Sequence, residues 1–367
     1  MVAAVAEVHD REMGVDMSAY SMTIDGESVS AGELSEIRSP ATDEVVGSVP
    51  IAGPEQVAAA IAAARAAQTA WAATPDAKRC ELLMRCAEVF EKESARLAEL
   101  ITREQGKPLG GPGSMFEMGG AVAWTQVPAS LELPTEVVFE DDTRRDEVRR
   151  RPLGVVGAIA PWNWPVLIAV WQIVPAVRMG NTVVIKPSEL TPIATLELVR
   201  LMNTVLPPGV VNAVSGDGEV GRLIVESPDV DKVMFTGSVE TGKEIMAASA
   251  DNLTRLTLEL GGNDAAIVLP DVDAQAIAPD LFWGAFINMG QTCACAKRLF
   301  VHDDVYDDVV AALDEVAANI AMGNGLDEGV MLGPVQNRPQ FDKVRDLVDD
   351  ARQRGATIVR GGEPVDG

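Results

Sequence analysis

The chain has 367 residues, 47% of them hydrophobic, and its 30 Lys+Arg against 55 Asp+Glu leave a formal net charge of −25. A chain of that length holds two or more packed domains, and so acidic a surface repels nucleic acid and anionic lipid, which sets both aside as partners. Four cysteines are too few for a disulfide scaffold, and His9 and His302, its two histidines, lie in no metal-ligating spacing, so neither a metal site nor a histidine-dependent nucleophile is expected.

The N-terminal stretch MVAAVAEVHDREMGVD carries acids where a secretory signal carries a basic segment and a long apolar block. No apolar run reaches the roughly 18 residues of a spanning helix, so the expectation is a soluble cytoplasmic protein with no membrane partner. Residues 56–103 repeat apolar side chains at i, i+3 and i+4 and predict long amphipathic helices. Cys80 and Cys86 fall on that apolar pattern and read as buried, inert thiols. Residues 134–154 set β-branched runs around Asp-Asp-Thr and predict a protruding hairpin, either an interaction arm or an exposed loop.

From residue 154 strand and helix alternate. GVVGAIAP (154–161), NTVVIKP (181–187), GVVNAVSG (209–216) and DKVMFTG (231–237) are short Val/Ile-rich runs ending in Gly or Pro. Continuous apolar strands separated by helices predict an α/β fold, a parallel sheet covered on both faces, with ligands at the carboxyl ends of its strands. A second α/β unit follows Glu259, with strands expected at 264–269, 296–303 and 356–362 and two helices between the last two.

Three features at those strand ends carry chemistry. Gly237-Ser-Val-Glu-Thr-Gly242 opens a helix without the G-x-G-x-x-G fingerprint; it reads as an ordinary capped helix or as a phosphate cradle. Lys186 and Glu189 follow a neighbouring strand, and a lysine with a diol-accepting carboxylate fits a dinucleotide better than a bare phosphate. Glu259, in TLELGGND, lies between two leucines; it reads as a strand-edge carboxylate facing water or as a general base whose pKa is raised by apolar neighbours. Cys293 and Cys295 stand one residue apart in MGQTCACAKR.

The motifs PWNWP, KPSELTP, FTGS, LELGGND and GQTCACAKR, in this order and approximate spacing, resemble the NAD(P)-dependent aldehyde dehydrogenase superfamily, and the likeness runs from about residue 37 to 341. The resemblance implies parallel, doubly wound sheets: a Rossmann-like cofactor domain (1–133 and 155–258), an oligomerisation hairpin (134–154) and an incomplete catalytic domain (259–367). It implies Cys293 as the nucleophile that forms a hemithioacetal and then a thioester, Asn163 as an oxyanion donor, and Glu259 as the base that activates water. Trp162, Lys186, Glu189, Gly218, Phe235, Gly237 and Ser238 are similar to the family's cofactor contacts. Glu189 favours NAD over NADP, because a carboxylate there repels a 2′-phosphate. Met118, Trp164, Ile168 and Trp171 are expected to line the aldehyde tunnel, whose apolar wall implies a hydrophobic or aromatic aldehyde.

Cys295 reads as a bystander or as a redox guard for Cys293. Members of the family continue past GGEPVDG, so a fragment or truncated member is expected, with a homodimer or homotetramer as the assembly of the full-length protein. The alternatives in function are a CoA-acylating semialdehyde dehydrogenase, against which Glu259 argues, and an inactive nucleotide-binding fragment.

Overall fold

The computed structural model describes residues 19–30 and 32–365; His9 and the stretch around it lie outside the described residues. Two hairpins come first, β1 (Met22–Ile24) with β2 (Glu27–Val29) and β3 (Leu34–Arg38) with β4 (Val45–Pro50). The first closes through Asp25 and Gly26, whose φ values of 53° and 78° are the left-handed pair that a two-residue hairpin turn requires.

Two long helices follow, α1 (Pro54–Ala73) and α2 (Asp76–Gln105). The amphipathic run breaks because Pro75 clashes with helical backbone at the residue before it, leaving Thr74 extended at ψ 129°. Helix α3 (Ser114–Ser130) packs along α2. Strands β5 (Glu136–Glu140) and β6 (Arg145–Val148) then form the expected hairpin. Asp141 Oδ1 fastens its turn, accepting from Thr143 N at 2.7 Å and Arg144 N at 2.8 Å. Every residue of β5 is exposed, Val138 and Phe139 included.

The main sheet is assembled from β7 (Val155–Ile159), β8 (Thr182–Lys186), β9 (Val211–Ala213), β10 (Lys232–Thr236) and β11 (Arg255–Glu259). Between them run α4 (Pro165–Arg178), α5 (Ile193–Met202), α6 (Gly218–Val225) and α7 (Val239–Ala248). The sheet order is β11-β10-β7-β8-β9-β1-β2; the first five strands are parallel and the β1–β2 hairpin adds an antiparallel edge. Val156, Ala158, Val183 and Ile185 enter one core with residues of α2 to α5, while Val155, Ile159 and Val184 enter a second with α1, α6 and α7. Apolar contact on both faces is why these strands read as unbroken Val/Ile runs. Strands β7 to β9 step outward in one direction, β10 and β11 in the other. The order therefore reverses between β7 and β10, and the crevice outside their carboxyl ends is where such sheets bind ligands.

Past Glu259 the chain leaves this sheet. Strands β12 (Asp264–Val268) and β13 (Ala296–Val301) pair in parallel, joined by α8 (Ala274–Phe286), and α9 (Tyr306–Ala318) packs on α8 before α10 (Arg338–Gln353). The strand expected at 356–362 does not form. Val/Ile residues become a strand only where backbone groups find a ladder, and Ile358 and Val359 stand 37% and 57% exposed, unpaired among the described strands.

The end of α2 delivers Glu104 into the core, where its carboxylate accepts from Ile193 N at 2.8 Å and Ala194 N at 2.9 Å. It caps α5, a task Pro192 has no side-chain acceptor to perform. Burial pushes this carboxyl from its ordinary 4.5 up to about 8. Folded protein then holds a proton that the unfolded chain has released, so stability falls as pH rises from about 4.5 to about 8. Glu104→Gln removes that slope. Urea denaturation at pH 5 and pH 8 is expected to show the variant gaining on the parent at the higher pH; a constant difference refutes the assignment.

Candidate active site

A cleft of about 1090 Å³ opens at the β7/β10 reversal. Its walls are the residues that follow the strands: Ile159 to Asn163 after β7, Lys186 and Glu189 after β8, Phe235 to Ser238 after β10, Leu260 to Gly262 after β11. The segment from Met289 to Cys293 closes one side.

That segment has an unusual backbone. Asn288, Met289 and Gly290 all take positive φ, at 53°, 57° and 73°. Two of them carry side chains, so the turn persists only because its surroundings over-determine it. Gln291 N donates to Asn288 O at 2.9 Å, and Asn288 Nδ2 reaches out to Asn163 O at 2.8 Å. Asn163 Nδ2 donates to Gln291 O at 2.9 Å, and Trp164 Nε1 donates to Thr292 Oγ1 at 2.9 Å. Lys297 Nζ clasps the far side, donating to Thr292 O and Cys293 O, both at 2.8 Å. The PWNWP turn and the GQTC turn are thus one hydrogen-bonded unit, with Cys293 half-buried on the cleft wall.

Gly262 permits a close approach here. A Cβ at this position would sit 2.9 Å from Cys293 O and 2.6 Å from Asp264 Oδ1. Glu259, two residues before Gly261, is exposed, which matches the water-facing strand-edge carboxylate of its two sequence readings rather than one held among apolar neighbours. Strand periodicity explains the difference: Leu258 and Leu260 pack toward the core on the opposite face, so its sequence neighbours are not its spatial ones. Cys295 is 1% exposed with Sγ 3.8 Å from Ile287 O, and burial raises its pKa, the setting of an inert thiol. Cys86 is fully buried and pushed up to about 12, whereas Cys80 is half-buried.

On the strand side, Lys186 is buried and spends its donors on Gly216 O at 2.7 Å and Pro187 O at 2.8 Å, with Glu189 Oε2 at 3.5 Å. Burial lowers its pKa despite that carboxylate. Gly218 opens α6 and Ser238 caps α7, accepting from Thr241 N at 3.1 Å, so two helix N-termini face the cleft. Phe235 and Gly237 touch: a Cβ on Gly237 would meet the Phe235 ring at 2.4 Å.

The four residues expected along a tunnel separate. Met118 is fully buried in the core and Ile168 is 4% exposed, and neither they nor Trp164 and Trp171 line the cleft. Trp164 lies edge-on to Phe116, ring centroids 6.1 Å apart, and Trp171 stacks on Trp124 at 5.6 Å. Phe116, Trp124 and Trp171 are exposed, forming an aromatic ledge on α3 and α4. Phe116 and Trp124 escaped the reading of the sequence, although their spacing of eight places them on one helical face.

A profile of the aldehyde dehydrogenase family matches residues 27–367. The chain is a member of that family. Among aldehyde dehydrogenases, a phenylacetaldehyde dehydrogenase of Pseudomonas fluorescens is 38% identical over 362 residues, an alignment spanning 94% of this chain and 71% of that protein. The NAD+ complex of an aldehyde dehydrogenase from Bacillus cereus superposes with a TM-score of 0.91 at 35% identity, covering 95% of this chain and 73% of that one. An NAD-dependent aldehyde dehydrogenase from Sinorhizobium meliloti gives a TM-score of 0.90, also at 35% identity, covering 95% and 71%. Like these aldehyde dehydrogenases, the chain is an α/β oxidoreductase. Among the described residues no group of side chains could hold a metal ion, and no helix is long and apolar enough to cross a membrane.

Proposed function

We propose that this aldehyde dehydrogenase oxidises a hydrophobic or aromatic aldehyde to the carboxylic acid through a thioester on Cys293, with NAD as its cofactor. The observation that carries the reading is the Asn163–Gln291 bond, which sets an amide donor beside the cysteine at the wall of the ligand crevice. An amide nitrogen has two N–H groups; one holds Gln291 O, and the other is left for the substrate oxygen. The Cys293 thiolate attacks the aldehyde carbon, and the oxygen that gains charge is held by Asn163 and by the Cys293 backbone N–H. NAD, when bound, supplies the two-electron oxidant for the aldehyde C–H bond. Glu259, exposed at the strand end, then takes a proton from the water that hydrolyses the thioester.

The lining fits a dinucleotide: two helix N-termini for phosphates, and the Lys186–Glu189 pair, 3.5 Å apart, whose mutual contact a ribose diol would replace. The Glu189 carboxylate favours NAD over its 2′-phosphorylated form. Four free cysteines, one of them the nucleophile, suit a reducing cytoplasm. The exposed β5–β6 arm, with Val138 and Phe139 in water, supports assembly into a homo-oligomer.

The exposed ledge of Phe116, Trp124 and Trp171, with Trp164 buried edge-on to Phe116, supports an aryl substrate, the class named for the Pseudomonas fluorescens relative. We expect kcat/KM for phenylacetaldehyde to exceed that for acetaldehyde by roughly 10- to 100-fold on the 367-residue chain, from the apolar area the ring removes from water. Acid quench during turnover should leave an acylated Cys293 peptide. No acylated peptide, or product release that depends on added CoA, overturns the proposal.

A further inference from the structure

The core beneath the PWNWP turn holds a charge pair that the chemistry above does not use. Lys107 and Glu117 are both fully buried, with Lys107 Nζ 2.6 Å from Glu117 Oε2. Burial lowers the Lys107 pKa to about 8, against the pull of Glu117. Burying two charges is costly, and an apolar pair of the same volume fills such a space at least as well for stability alone. The partners of this pair say what else it does. Lys107 Nζ also donates to Asn163 O at 2.8 Å and lies 3.7 Å from the centroid of the Trp164 ring, a cation–π contact. Glu117 Oε1 accepts from Val166 N at 2.9 Å and Leu167 N at 3.0 Å, capping the first turn of α4 immediately after that tryptophan.

We infer that Lys107 and Glu117 are positioning residues for the nucleophile: they set the pose of Asn163 and Trp164, and through them the placement of Cys293. The linkage is short. Asn163 O, held by Lys107, also accepts from Asn288 Nδ2 in the left-handed turn. Asn163 Nδ2 holds Gln291 O, and Trp164 Nε1 holds Thr292 Oγ1, the two residues before Cys293. Each branch reaches the nucleophile segment through one intervening side chain. Neither Lys107 nor Glu117 lines the cleft, so they act without touching substrate. Lys107 has three N–H donors, and Glu117, Asn163 O and the Trp164 face account for their three directions. An uncharged side chain supplies neither the ring contact nor the shared grip on Asn163.

This inference rests on Cys293 being the nucleophile, but its test does not. The rate at which iodoacetamide alkylates Cys293, assigned by fragment ions that separate it from Cys295, reports the pose of that thiol whether or not it turns over substrate. The double variant K107M/E117Q keeps the volume and removes both charges, and E117Q alone keeps the shape while loosening the grip on Lys107. Val199→Ala, a core cavity in α5, is the control for lost stability. We expect both pair variants to change the alkylation rate by about fivefold or more and to lower kcat by about tenfold, with the KM for NAD within twofold. Val199→Ala should leave alkylation as in the parent. If the double variant does not fold, E117Q decides. Alkylation and kcat within twofold of the parent in the folded pair variants, or the same change in Val199→Ala, overturns the inference. An altered alkylation rate in the pair variants together with full activity in a Cys293→Ser protein would instead keep the positioning role and refute the nucleophile.

Discussion

Cys293→Ser is expected to lower aldehyde oxidation by at least roughly 10³-fold while NAD still binds within about twofold of the parent. The difference is in protonation, because the two side chains share one shape. A thiol carries a measurable thiolate fraction near neutral pH, and a serine hydroxyl has essentially none without an adjacent base. Among the described residues no histidine lines the cleft beside Cys293. The chain's histidines are His9 and His302, and His302 lies at the end of β13, its Nδ1 accepting from Asp304 N at 3.2 Å. The bonds that hold the segment in place do not involve the sulfur: Trp164 binds Thr292, Asn163 binds Gln291, and Lys297 binds backbone carbonyls. The serine variant therefore keeps the turn, the cleft and the cofactor side, and loses only the attacking atom. NADH formation under saturating aldehyde measures the rate and fluorescence titration with NADH the binding. A rate within tenfold of the parent would show that another group forms the covalent bond, or that none does.

The sheet was readable in the sequence for the reason that makes it a sheet. Val155, Val183, Val211 and Val233 are buried among apolar groups, and helices on both sides leave no polar alternation to confuse the pattern. The residues at the strand ends were readable because Gly, Pro, Lys and Glu interrupt that pattern where the crevice lies. Other features depend on contacts distant in sequence. Lys107 meets Asn163 across 56 residues and Glu104 meets Ile193 across 89, and neither carries a local signal that separates it from a surface charge. Met118, Ile168 and Trp171 all lie on apolar helical stretches, yet the first two are buried while the tryptophan stacks on Trp124 in the open, a difference set by tertiary packing. The run at 356–362 failed for want of an edge to pair with. One miss was avoidable: Asp25-Gly26 between short β-prone runs is a hairpin signal by itself.

Asn163→Ala is the second large loss, and it acts by two routes. The first is electrostatic. Removing one preorganised donor from a developing oxyanion lowers kcat on the order of 10²- to 10³-fold, about 3 kcal/mol of barrier. The second is mechanical. Asn163 Nδ2 is a tether on Gln291 O, and without it the segment that follows the left-handed turn keeps the Asn288 bond to Asn163 O and the Trp164 bond to Thr292 from this side. Asn163→Asp separates the routes. It preserves the shape but presents oxygen to Gln291 O and negative charge to the substrate oxygen, so both functions reverse instead of vanishing, and its loss should exceed that of alanine. Were the amide only a tether, chemical alkylation of Cys293 would fall along with kcat in both variants. With the oxyanion role dominant, kcat falls far more steeply than alkylation, and the KM for NAD stays near the parent value, since the side chains proposed to hold the cofactor do not include Asn163. A kcat within about fivefold of the parent in the alanine variant removes Asn163 from the chemistry and leaves the Cys293 backbone N–H as the donor that has to carry it.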